Sequence, residues 1–73
     1  MQNNSDVNEN FILAQQEHQK NKFDAAMNLY EKVLASYPEH FESIFLLGTL
    51  LAEKKNYVYS QTMLNKAIKI INH

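Results

Sequence analysis

The chain has 73 residues, 45% of them apolar, a formal charge of −1 and no cysteine. That is enough for one small core and too little for two, and the apolar content argues against wholesale disorder. Near-neutral charge removes the electrostatic case for nucleic acid or an anionic membrane, and the missing cysteines exclude disulfides and thiolate metal sites. No apolar run nears the ~20 residues that span a bilayer, and Met1–Asp6 lacks the basic and apolar regions of a secretory signal. A cytoplasmic location is therefore expected.

Residues 1–6, rich in Asn and Gln, read as a disordered lead-in. Asp6 and Glu9 then have capping-box spacing, and Asn10, Leu13, Ala14 and Glu17 form one stripe of a first helix that runs to about Lys20. Asn21–Lys22 reads as a break, because Asn tolerates the left-handed conformation that ends helices. A second helix, about Phe23 to Tyr37, places Phe23, Ala26, Met27, Tyr30, Val33 and Leu34 on one apolar face. Pro38 stops it, since proline cannot continue the hydrogen-bond ladder and restricts Tyr37 as well. The third helix, about His40 to Lys54, is apolar almost all round and calls for neighbours on more than one side. After Asn56 a fourth, about Tyr57 to Ile71, turns Tyr57, Ser60, Gln61, Leu64, Ala67 and Ile68 inward.

The halves repeat at an offset of 34 residues: Phe11, Leu13, Lys20 and Lys32 fall on Phe45, Leu47, Lys54 and Lys66. Conservative pairs such as Ala14/Gly48, Ala26/Ser60, Leu29/Met63 and Leu34/Ile68 hold the same register. A helical pattern at this period marks stacked helix–turn–helix units. Gly48, the only glycine, lies mid-helix at a cost of roughly 0.5–1 kcal/mol, which close helix packing explains.

Ile44-x2-Leu47-Gly48-x2-Leu51 followed by Ser60-x3-Leu64 resembles the tetratricopeptide repeat signature. So does Asn10-x2-Leu13-Ala14-x2-Glu17 followed by Ala26-x3-Tyr30 and Pro38. The resemblance implies an all-α fold of four antiparallel helices in two repeats, residues 7–40 and 41–73, a fragment of an α-α superhelix with no C-terminal capping helix. Asn10 and Glu17 stand where the family is usually apolar, as expected of a first helix with no preceding repeat.

No catalytic constellation is found. His18, His40 and His73 share no metal-ligand spacing and read as surface histidines. Ser36, Ser43 and Ser60 lie in helices with no His/Asp partner for a triad implied, and Glu39 and Glu42 are explained by a nearby helix start. No enzyme activity and no cofactor are expected.

The resemblance implies binding of a partner protein's peptide or helix in a concave groove lined by the first helix of each pair. On this sequence that groove is Phe11, Gln15, Gln19, Phe45, Leu46, Thr49 and Glu53, flanked by Asn8, Ile12 and Glu42. The family's carboxylate-clamp positions hold Phe11, Gln15 and Leu46 here, so an apolar or amphipathic partner fits better than a charged chain terminus. On periodicity alone, Phe11, Ile12, Phe45 and Leu46 could equally extend the core between pairs. Two further readings stay open: a non-catalytic segment of a larger enzyme, like those preceding some bacterial glycosyltransferase and sulfotransferase domains, and a self-associating unit. For the latter, Tyr59, Met63, Ile70 and Ile71 of the last helix would form a homodimer contact.

Overall fold

The computed structural model describes the backbone of residues 4–72 and the side chains of residues 7–72. Four helices follow in order: α1 (Asn4–Gln19), α2 (Phe23–Ser36), α3 (Phe41–Glu53) and α4 (Tyr57–Ile71). α1 packs on α2 and α3 on α4, giving two hairpins that meet where α2 packs on α3. No strand occurs among the described residues. No helix there is long and apolar enough to cross a membrane. The first helix begins at Asn4, inside the stretch expected to be disordered. The Asp6 half of the capping box lies outside the described side chains.

The two hairpin turns are alike bond for bond. In the first, Lys22 N–H donates to Glu17 O at 2.9 Å and Asn21 N–H to His18 O at 3.0 Å. In the second, Asn56 N–H donates to Leu51 O at 2.8 Å and Lys55 N–H to Ala52 O at 2.9 Å. Both are Schellman closures, which need a left-handed residue after the helix. Asn21 (φ 62°) and Lys55 (φ 64°) supply it. Asn tolerates that conformation, whereas Lys carries a steric cost of roughly 1–2 kcal/mol there.

The core follows the small–large pattern of the sequence. Ala14 and Ala26 are fully buried beside Tyr30 in the first hairpin, and the buried Leu47, Leu50 and Leu51 of α3 complete the cluster. In the second hairpin Gly48 faces α4 so closely that an added Cβ would lie 3.0 Å from Leu64 Cδ2 and 3.3 Å from Met63 Cβ. The buried Ser60 hydroxyl donates to Gly48 O at 2.8 Å, which holds the crossing from the other helix. Leu13 departs from the inward stripe expected of it and is half exposed, and Tyr57, Gln61 and Ile68, expected to turn inward on α4, are exposed as well. Leu47, the counterpart of Leu13, is covered because α2 lies against α3, and among the described residues no helix occupies the corresponding place beside α1.

His40 sets the start of α3. Its Nδ1 accepts from Ser43 N–H at 3.3 Å and from the Ser43 hydroxyl at 2.8 Å, so the ring takes the place of the usual Ser, Thr or Asp cap. The same ring meets Phe11 edge-on at 5.0 Å between centroids. The surface-histidine expectation is corrected here, because a cap that must reach a buried Ser43 is drawn in with it.

Two stability outcomes follow from these contacts. Gly48→Leu should destabilise the chain by about 1–3 kcal/mol through overpacking against Leu64 and Met63. An unchanged thermal midpoint in that variant would contradict the crossing. Lys55→Gly should stabilise by about 1 kcal/mol, roughly 4–8 °C in Tm for a domain of this size, while Asn21→Gly gains less. Equal gains at both turns in a melting experiment would show that the left-handed lysine carries no special cost.

Candidate functional site

The hairpins leave an open cleft of about 340 Å³ where α1 and α3 come together over α2. Gln15, His18 and Gln19 of α1 and Asn21 of the turn form one wall. Leu46 and Glu53 of α3 form the other, and Tyr30 of α2 closes the floor. Helical spacing explains the walls: Gln15, His18 and Gln19 lie within about one turn of each other on one side of α1, and Leu46 and Glu53 are two turns apart on α3.

Three polar groups tie the helices together across this cleft. Tyr30 is fully buried, yet its hydroxyl lies 3.1 Å from His18 Nδ1. His18 Nε2 lies 2.6 Å from Glu53 Oε1. An ionised carboxylate only accepts, so Nε2 carries the proton, and in the neutral ring Nδ1 then accepts from the Tyr30 hydroxyl. Burial, and secondly the nearby Glu53 carboxylate, push the Tyr30 phenol up to about 12, so it remains a donor at neutral pH. His18 also meets the rings of Phe23 and Tyr30 edge-on, each at 5.9 Å. It is therefore no surface histidine. Desolvation of Tyr30 demands a partner for its hydroxyl, and His18 in the last turn of α1 provides one.

The expected groove residues divide into two groups. Gln15, Gln19, Leu46 and Glu53 line the cleft. Phe11 is half-buried beneath it, tilted against Tyr30 at 6.3 Å, so at this position the core alternative holds. Phe45 and Thr49 lie outside the cleft lining: Phe45 is 46% exposed and stacks on Phe41 at 6.0 Å, while Thr49 spends its hydroxyl on Phe45 O at 2.8 Å. Sequence reasoning missed His18 and Asn21 as cleft residues and assigned Tyr30 to the core alone. The available signal was that Phe11, Gln15 and His18 share one helical stripe.

Of the residues read as a homodimer contact, Tyr59 and Ile71 are exposed. Met63 is half-buried against the core and Ile70 is half-buried beside Pro38 and Ile44. Among the described residues, no three His, Cys, Asp or Glu side chains are grouped to hold a metal ion.

No family model matches this sequence, and neither a curated protein nor a solved structure is significantly similar to it.

The tyrosine gives a sign-definite pH dependence. Unfolded, it loses its proton near its ordinary value of 10; folded, near 12. Between those values the folded state holds a proton that the unfolded state lacks, so stability falls as pH rises. The loss should reach about 2–3 kcal/mol across that window and shrink in Tyr30→Phe. Urea unfolding at pH 9 and pH 11.5 checks this, and equal losses in the two proteins would remove the phenol as the cause.

Proposed function

We propose that this chain is a non-catalytic interaction module of tetratricopeptide type, which holds a segment of a partner protein along the face where α1 and α3 meet. The observation that carries this reading is the cleft itself. A buried Tyr30 floor, an apolar Leu46 wall and the side-chain amides of Gln15, Gln19 and Asn21 offer both contact area and hydrogen bonds to a peptide backbone. The exposed Phe45, beside the cleft on α3, supplies a rigid aromatic anchor of the kind that dominates binding energy. The segment that fits is extended or helical, with apolar anchors and a donor for the Glu53 carboxylate. The 34-residue register and the matching hairpin turns support the family reading. A reducing, cytoplasmic setting is consistent with the lack of cysteine.

A peptide library displayed on phage, panned against the immobilised protein, supplies a ligand for the test. The selected peptide should shift amide resonances of Gln15, His18, Phe45, Leu46 and Glu53. Phe45→Ala should weaken it by about 2 kcal/mol, roughly thirtyfold, with an unaltered fold because the ring is exposed. Glu53→Gln should change mainly the salt dependence of binding if the carboxylate acts at the rim. Shifts confined to Asp24, Asn28, Glu31 and Ala35 on α2 would place binding elsewhere and end this assignment.

A further inference from the structure

The 34-residue register shows which faces of the molecule are half of an interface. Glu9, Ile12, Leu13 and Gln16 of α1 correspond to Ser43, Leu46, Leu47 and Leu50 of α3. On α3, Ser43, Leu47 and Leu50 are buried, Leu47 only 4% exposed, and Leu46 is half-buried beside the cleft; on α1 all four are exposed, Leu13 at 47%. At the other end, Tyr57, Gln61 and Ile68 of α4 correspond to Phe23, Met27 and Leu34 of α2. The α2 set is half-buried under α3, whereas the α4 set is exposed, Tyr57 at 64% and Ile68 at 52%. The α2–α3 junction inside the molecule is thus the filled version of an interface whose two halves stand open at its ends.

We infer that the open α4 face of one copy receives the open α1 face of a second copy, in the geometry of the internal α2–α3 junction. Charge favours this occupant. From Lys54 to His73 there are four lysines and no acidic residue, while residues 1–19 hold Asp6, Glu9 and Glu17 and no lysine or arginine. Head-to-tail stacking brings the basic end onto the acidic one. An α4-to-α4 pairing brings two lysine-bearing ends together. The internal junction also gives the registry. Its Asp24–Lys54 ion pair fixes the start of α2 beside the end of α3. At the outer junction the counterparts of that pair are Val58 and Lys20, so this ion pair is not repeated; running antiparallel from it, Ala35 comes level with Ser43, and their counterparts are Lys69 and Glu9. Stacking therefore sets opposite charges against each other at the far end of the contact. Such an interface is heterologous: every added copy presents a new open α4 face, so assembly does not close at two. The polar Glu9 and Gln16, where the internal junction has Ser43 and Leu50, make each outer contact weaker than the internal one.

The test is sedimentation of the full chain and of two blocked variants, each first shown by circular dichroism to retain its helices. Mass should rise past that of a dimer as concentration increases from about 10 μM to 1 mM. Ile68→Asp and Leu13→Asp should each lower association at least tenfold. Mixed together, they should form a one-to-one dimer that grows no further, because each variant keeps the face that the other lacks. Since Leu13 is half-covered, the surface pair Glu9→Lys and Lys69→Glu provides a second route: each alone weakens stacking a fewfold and the doubly reversed chain recovers it. A wild-type chain that stays monomeric, or one that stops at a dimer unaffected by Leu13→Asp, overturns the proposal. The latter outcome assigns α4-to-α4 pairing instead.

Discussion

Everything in this molecule hangs on the single junction where one hairpin meets the other, and Tyr30 stands at its centre. Its ring is fully buried beside Ala14 and Ala26, in the cluster completed by Leu47, Leu50 and Leu51. A chain that buries only about 60% of its unfolded surface has little stability to spare, so one aromatic residue worth roughly 3–5 kcal/mol on truncation is a large share of it. Tyrosine rather than phenylalanine at this place brings a hydroxyl into the core, and a buried hydroxyl needs a partner. His18 meets that need and passes the connection to Glu53 on α3. The packing centre and the polar network of the cleft are therefore one structure, and the same side chain holds both.

The rest of the packing is arranged so that this junction can close. Small residues at Ala14, Ala26, Gly48 and Ser60 let each hairpin's helices approach. Matching left-handed turns close both hairpins in the same way, and α3 of one packs on α2 of the other. Surface ion pairs add little. Asp24–Lys54 spans the junction, but Asp24 is mostly exposed, and such pairs contribute at most about 1 kcal/mol.

Much of this arrangement was legible in the sequence because it depends on periodicity. Helix type, the start of α2, both bounds of α4 and the small residues at crossings all follow from spacing within a helix or from the 34-residue register. What was not legible depends on which faces find a neighbour. Leu13 has the same local pattern as Leu47, yet only the latter is covered, because burial of a helix face is decided by the next helix and not by its own residues. The histidines failed for a related reason. His18 is drawn inward by Tyr30, twelve residues away and on another helix, and His40 by capping Ser43 three residues on, a role that was looked for only in metal-ligand spacing. Lys55 was not legible as a turn residue, since propensity gives a lysine no reason to turn left-handed, although it falls 34 residues after Asn21.

A ligand lying in the cleft would touch α1 through Gln15 and α3 through Leu46, that is, both sides of the one junction. The two hairpins meet where α2 packs on α3, so whatever strengthens that junction strengthens the whole. Binding there and folding are consequently linked: a segment held at a hundredfold excess over its Kd would add about 2.7 kcal/mol, a large fraction of what a domain this small has. Stacking on α4 acts by the same rule at a different place, since it gives the second hairpin the neighbour that only its α3 now has. The two effects are separable because they engage different faces. Cleft occupancy depends on α1 and α3 of one copy, while stacking would depend on α4 and on Leu13, which is exposed and does not line the cleft. A chain with one internal junction can thus be stabilised from its groove or from its ends, and neither route requires the other.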